Sequence, residues 1–317
     1  MGKSIGIDLG TTNSVMSIRI LKSDIIPNSE GETLTPSVVS YLTSSGLLGL
    51  NKKLETLVGR NAKDLLLQDP ENTISSVKRL MGRAYSDPEV QNLIQHSGLG
   101  FRISALAQGT NSSIAIKLKN GMELSPSTIS GEILKKLKKD AEAYLKDEVT
   151  EAVITVPAYF NEKQKHATYQ AAEFAGFKVS RLLSEPSAAA IAYGIDESSE
   201  PKTLMIYDFG GGTLDISILT YSGGHFMEQA KGGDMWLGGD DIDLLLYHFI
   251  AGELAKEFKI DSFADFLNTL VPNTFHNPNI PPATRSAIKI RPGTVSLLNI
   301  ILFFSINFFA LFSQSGF

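Results

Sequence analysis

Two short runs carry residue types suited to holding phosphate. Ile5-Gly6-Ile7-Asp8-Leu9-Gly10-Thr11-Thr12 is an apolar stretch closed by an acid, a glycine and small hydroxyl side chains. Leu204-Met205-Ile206-Tyr207-Asp208-Phe209-Gly210-Gly211-Gly212-Thr213 repeats that grammar 200 residues later, Asp208 standing to its turn as Asp8 does to the first. A glycine turn between strands leaves backbone N–H groups unshielded, and consecutive ones form a concave nest for phosphate oxygens. Thr11, Thr12 and Thr213 add hydroxyl donors. Asp8 and Asp208 stand where they could hold Mg²⁺ through water, since Mg²⁺ keeps much of its hydration shell beside phosphates. Either run alone fits a plain tight turn equally well. The pair points to nucleotide binding between two related lobes.

Transfer of a phosphoryl group to water asks for charge neutralisation and a positioned water more than for covalent chemistry. Lys78, in Ser76-Val77-Lys78-Arg79-Leu80-Met81-Gly82-Arg83, and Glu185, in Leu183-Ser184-Glu185-Pro186-Ser187-Ala188, are the candidates. By chemistry alone Lys78 reads equally as a surface lysine, and Glu185 as a helix-start acid beside Pro186 at the first helical position.

The elements that must position these residues follow an α/β pattern. Ser4–Asp8, Val15–Ile20, Ala152–Val156 and Thr203–Tyr207 read as strands, with an alternating stretch over Leu214–Leu219. Ser127–Lys146, Asn161–Gly176 and Asp240–Lys259 read as helices. The second ends on a glycine able to take a left-handed conformation. The run Lys135, Lys136, Lys138 and Lys139 reads as a solvated helix face.

Other classes are excluded. The chain has 29 basic and 34 acidic residues, and residues 1–265 alone carry 26 − 34 = −8, which argues against nucleic acid as a partner. With no cysteine there is no disulfide framework, zinc-thiolate site or thiol nucleophile. No Walker run or Gly-x-Gly-x-x-Gly fingerprint occurs. His166, His225 and His248 read as positions without catalytic duty. An acid arrives within a few residues of the N-terminus, unlike a secretory signal, and a cytoplasmic location is expected.

Together Ile5–Ser14, Asn72–Gly82, Val153–Phe160, Leu182–Gly194, Ile206–Ile218 and Gly232–Asp243 resemble the heat-shock protein 70 family. The Gly-Thr-Thr-Asn-Ser run is similar to the bacterial and organellar branch. The resemblance implies an α/β, actin-like ATPase fold with two lobes around a cleft for ATP or ADP with Mg²⁺. It implies a chaperone cycle, with J-domain co-chaperones and nucleotide exchange factors as partners. Gly10, Thr11, Thr12 and Asn13 then belong to the first phosphate loop, and Gly210, Gly211, Gly212 and Thr213 to the second. Lys78 takes the place of the catalytic lysine, acting with Glu185, Asp208 and Thr213. Asp8, Asp208 and Glu185 hold hydrated Mg²⁺, and Asp215 belongs to the same cluster. Pro157 matches the hinge proline, but Lys165 stands eight residues on where the family has arginine, keeping the charge and losing the planar fork.

The composition breaks where the resemblance ends. All 34 acidic residues lie at or before Asp265, while five of the 13 prolines follow it and nine of the 17 phenylalanines lie beyond residue 260. The motifs fade after Lys259 and are gone by Phe266. The family's adenosine-stacking helix, its later Gly-Gly-Ser loop and its peptide-binding domain have no counterpart in the run. The chain therefore reads as lobe I over 1–190, an incomplete lobe II over 191–265 and a divergent apolar tail over 266–317. It is expected to bind ATP weakly or not at all, and to bind no peptide clients. The alternative is a non-catalytic, chaperone-like interaction or decoy protein, tethered to a membrane by Val295–Phe312. That run is one of three readings of the tail, the others being a segment foreign to the fold and a cover for the second lobe.

Overall fold

The computed structural model describes residues 2–19, 23–45, 52–96, 100–106, 113–195 and 200–258. In chain order the strands and helices are β1 (Lys3–Asp8), β2 (Asn13–Arg19), β3 (Ser23–Ile26), β4 (Thr35–Pro36), β5 (Val39–Ser45), β6 (Lys52–Val58), α1 (Arg60–Lys63) and β7 (Thr73–Ile74). A one-turn 3-10 helix, Val77–Leu80, precedes α2 (Pro88–His96), β8 (Arg102–Ala105), β9 (Ile114–Lys117), β10 (Glu123–Leu124) and α3 (Pro126–Leu145). Then come β11 (Val149–Val156), α4 (Glu162–Phe174), β12 (Lys178–Ser184), α5 (Glu185–Ala192), β13 (Lys202–Phe209), β14 (Leu214–Ser222), β15 (His225–Asp234) and α6 (Gly239–Phe258).

The principal sheet runs β12-β11-β1-β2-β3, with β4 added at β2. The hairpin β1–β2 is antiparallel, whereas β1 pairs with β11, and β11 with β12, in parallel. Parallel neighbours need crossovers, which α3 and α4 provide. Alternation along β1 sends Ile5 and Ile7 inward, where they meet Ile129, Ile133, Leu134 and Leu137 of α3 in one apolar cluster. That core fixes the end of β1, and with it Asp8.

Helix ends follow their local chemistry. Ser125 caps α3 by accepting from the Thr128 amide, with Pro126 in the first turn, where its missing N–H costs nothing. Asn161 and Gln164 form a reciprocal capping box on α4, and Gly176, at φ 80°, takes the left-handed position just past that helix. The lysine run on α3 departs from a plain solvated face. Lys136 and Lys138 are half-buried, Lys136 pairs with Asp140 at 2.8 Å and Glu30 at 3.0 Å, and Lys138 pairs with Glu142.

A second, wholly antiparallel sheet, β13-β14-β15, carries the second hairpin. Its buried face on β14 consists of Asp215, Ser217, Leu219 and Tyr221, while Leu214, Ile216 and Ile218 are half-covered. The alternation is as expected, but two polar residues occupy the inner face.

The described residues up to Trp236 form one compact unit, and those from Leu237 onward belong to a second. The described part of the second is α6, whose Leu245 and Phe249 are exposed. Among the described residues no helix is long and apolar enough to cross a membrane. Val295–Phe312 lies outside them.

Candidate nucleotide site

Every candidate site residue lies in the first unit: Asp8 and Asp208 at or near the ends of strands, the glycines and threonines on the two turns, Lys78 on the 3-10 turn and Glu185 at the start of α5. Asp8 ends β1 and Asp208 is the penultimate residue of β13. Thr155, on the neighbouring β11, donates its hydroxyl to Asp8 Oδ1 at 2.7 Å and so fixes that carboxylate's orientation. The echo in sequence is thus an echo in structure: each acid stands at or one residue before the end of a strand, and a short turn leads into the antiparallel partner, β2 or β14.

The first turn is held from outside. Ser37 donates to the Gly10 carbonyl at 2.8 Å, and its own N–H reaches the Thr12 carbonyl at 2.8 Å. Ser14 and Ser37 share a buried hydroxyl–hydroxyl bond of 2.9 Å. Gly10 has a steric reason for being glycine, because a Cβ there would sit 2.0 Å from the Asn13 carbonyl oxygen. Asn13 itself begins β2 and pairs with Pro36. The second turn departs from the simple nest. The Gly210 N–H donates to the Thr213 carbonyl at 2.9 Å, so this amide closes the turn instead of presenting itself to a ligand. Gly212 lies so close to the first turn that an added Cβ would be 2.4 Å from Thr11 Cγ2. The two turns therefore touch, and Thr11, Thr213 and Lys78 line one small cavity.

Lys78 is no surface lysine. Its 3-10 turn follows Ser76 in the left-handed region, at φ 52°, and its side chain is 10 % exposed. Nζ donates to Glu185 Oε1 at 2.7 Å. Burial alone would lower the ammonium pKa, yet the carboxylates of Glu185, Asp8 and Asp208 outweigh it and hold the group above its ordinary value. Glu185 reaches the lysine from the first position of α5, with Ser184 as cap; Pro186 takes the second position, one later than the sequence suggested.

The acids are strained electrostatically. Burial lifts Glu185 to about 7, opposed by Lys78 and reinforced by Asp8. Burial, with Asp8 and Asp215 as like-charged neighbours, lifts Asp208 to about 6. Asp215 is 3 % exposed, and neither of its carboxylate oxygens makes a hydrogen bond of ordinary geometry. Burial raises its pKa too, and Thr213 and Lys78 relieve only part of that. Crowded carboxylates with unmet acceptor capacity fit a divalent cation, which would supply the charge they lack. Among the described residues no three acids converge tightly enough to bind a metal directly. A hydrated Mg²⁺, held through its waters by Asp8, Asp208 and Glu185, suits that spacing.

Three residues of the site escape sequence reasoning. Thr155 has no motif context of its own. Arg79 donates Nε–H and Nη2–H to the Gly212 carbonyl at 3.1 and 2.9 Å, but in sequence it is one basic residue beside another. Trp236, on which Arg79 and Arg83 both stack, lies far away in the chain. Pro157 lines the same cavity, and Lys165 pairs with its helix neighbour Glu162 at 2.9 Å. His166, His225 and His248 are exposed, and neither His166 nor His225 lines the cavity that holds Lys78.

A parallel-cored sheet and a second sheet, each presenting an Asp-x-Gly hairpin to a buried lysine, are the architecture of the actin-like ATPases. A family model described as Hsp70 protein matches residues 4–270. The chain belongs to that family, and the matched part is a chaperone nucleotide-binding domain. The match runs a few residues beyond Phe266, where the motifs are no longer readable.

Proposed function

We propose that the chain binds ATP with Mg²⁺ and hydrolyses it to ADP and phosphate, as the nucleotide-binding domain of a chaperone that assists protein folding. The observation that carries this reading is the buried Lys78–Glu185 pair, 2.7 Å long, set beside two touching glycine turns with Asp8 and Asp208 close enough to act on its charge. The bound cation would neutralise phosphate charge. Lys78 is placed to neutralise the transferring group, and Glu185, with a carboxyl that titrates near neutrality, to accept a hydrogen bond from the attacking water. Thr11 and Thr213 supply hydroxyl donors from opposite turns, and Thr155 keeps Asp8 in place. We read the chain as lobe I over 1–190, lobe II over 191–265 and a divergent tail, in the cytoplasm, with J-domain co-chaperones and nucleotide exchange factors as its partner classes.

In this reading the affinity of residues 1–265 rests on the phosphate groups, since the residues assembled at the site are those of the two glycine turns, Lys78 and the acids. Turnover at millimolar Mg·ATP, with Lys78→Ala and Asp208→Asn as controls, tests the proposal. Mutation-sensitive phosphate release supports it. A folded wild-type chain with no release supports the non-catalytic interaction or decoy reading instead.

A further inference from the structure

The turn that carries Lys78 is tied to the second glycine loop by the residue next to it. Arg79 donates two N–H groups to the carbonyl of Gly212, at 3.1 and 2.9 Å. Gly212 in turn abuts Thr11 of the first loop. Lys78, Arg79, Gly212 and Thr11 thus form a continuous chain of contacts from the lysine through both phosphate loops.

This tie has a cover. Trp236, two residues beyond the end of β15, stacks on Arg79 at 5.8 Å and on Arg83 at 5.5 Å, ring centroid to guanidinium carbon. Two like charges would repel each other, but an indole face attracts both, and guanidinium groups stack on it readily. Arg83 is braced from its other side by Asp87 at 2.9 Å, and its Nη2 approaches Met235 Sδ at 3.6 Å. The Arg83 Nε–H and the indole N–H are both buried without a hydrogen-bond partner, so neither group is held there by the polar bond that it would otherwise make. The stack acts alongside the Asp87 and Met235 contacts of Arg83 and the 2.8 Å bond from the Trp236 backbone N–H to Asp234 Oδ1. Arg79, Arg83 and Met235 line the same small cavity as Lys78, Thr11 and Thr213.

We propose that Arg79 is a positioning residue for phosphoryl transfer: clamped under Trp236, its fork holds the second glycine loop at a set distance from Lys78. The inference rests on the nucleotide reading above for its catalytic consequence, but the clamp itself is made by protein groups alone. Trp236 is the only tryptophan, so its fluorescence reports the clamp alone.

The test uses the full 317-residue chain as wild type, Arg79→Ala, Arg79→Lys, Trp236→Phe and, as a control remote from the site, Arg102→Gln. Acrylamide quenching of Trp236 is expected to rise about twofold in both Arg79 variants, because lysine cannot reproduce the stacked fork, and to stay unchanged in Arg102→Gln. Phosphate release from Mg·ATP is expected to fall about tenfold in kcat, with KM within about twofold, in Arg79→Ala, Arg79→Lys and Trp236→Phe. Full rescue by Arg79→Lys shows that charge suffices and overturns the proposal. Wild-type quenching and kcat in Arg79→Ala, with far-ultraviolet circular dichroism intact, overturn it as well. Absence of turnover in the wild type counts against the nucleotide reading, and the clamp is then decided by the quenching series alone.

Discussion

Lys78 and Glu185 stand 107 positions apart in the chain, yet Nζ and Oε1 meet at 2.7 Å with the two side chains 10 % and 14 % exposed. Such a pair is more informative about function than about stability, because desolvating both charges offsets much of their attraction. Breaking it from one side is another matter. Lys78→Ala should lose phosphate release and destabilise the fold by about 2–4 kcal/mol at pH 7.5, since a carboxylate is left in a dry setting without its cation. Urea unfolding should show a smaller deficit at pH 5.5, where Glu185 takes up a proton. Equal deficits at both pH values would contradict the role given to the unpaired carboxylate.

The crowded acids predict a pH signature with a definite sign. Asp208 is lifted from 3.8 to about 6 and Glu185 from 4.5 to about 7, so the folded state binds more protons than the unfolded state across that window. Their contribution to stability is therefore fullest below about pH 4 and is lost as pH rises towards 7. Asp208→Asn removes one of the two penalties. The variant should gain about 1–3 kcal/mol relative to wild type at pH 7.5 and about a third as much at pH 4.5, as read from thermal unfolding at both pH values. Mg²⁺ should raise the wild-type midpoint at pH 7.5 more than that of the variant.

Backbone sterics give a separate prediction. Gly233, at φ 145°, pairs with Asp215 across the second sheet, and a Cβ there would lie 2.0 Å from the Leu214 carbonyl oxygen. Gly31, at φ 80°, has open space around it. Gly31→Ala should cost about 1 kcal/mol through conformation alone, and Gly233→Ala about 3 kcal/mol or more because β14 and β15 must separate. Chemical denaturation of the pair checks the order, which should not invert.

Nucleotide affinity should reflect half a site. If affinity rests on the phosphate groups, as proposed, inorganic triphosphate with Mg²⁺ should compete with ATP at a Kd within about threefold of its own, both weaker than about 10 µM. Competition measured with a fluorescent ATP analogue distinguishes this from a complete pocket. ATP binding a hundredfold more tightly than triphosphate would show that the base is recognised after all.

The hairpins were legible in the sequence because a strand–turn–strand unit is local: Asp8, Gly10 and Thr11 carry their own geometry, and Asp208 to Thr213 repeat it. The helices over Pro126–Leu145 and Glu162–Phe174 were legible for the same reason, through period and caps. Lys78 and Glu185 could be paired only by resemblance, since nothing in either run says that they meet. What stayed hidden depends on the approach of distant segments. The Gly210 amide turned inward on Thr213, Asp215 and Ser217 took the inner face of β14, and Arg79 found Gly212 and Trp236. None of these leaves a periodicity or a motif.

The proposed Mg²⁺-dependent triphosphate site joins Asp8, Asp208, Glu185 and Lys78. Titration calorimetry of the full chain with inorganic triphosphate, with and without Mg²⁺, measures it without involving the base or turnover. A saturable, Mg²⁺-dependent heat is expected in the wild type, weakened about tenfold or more in Asp208→Asn and in Lys78→Ala. Binding that ignores Mg²⁺, or that is unchanged in both variants, would contradict it.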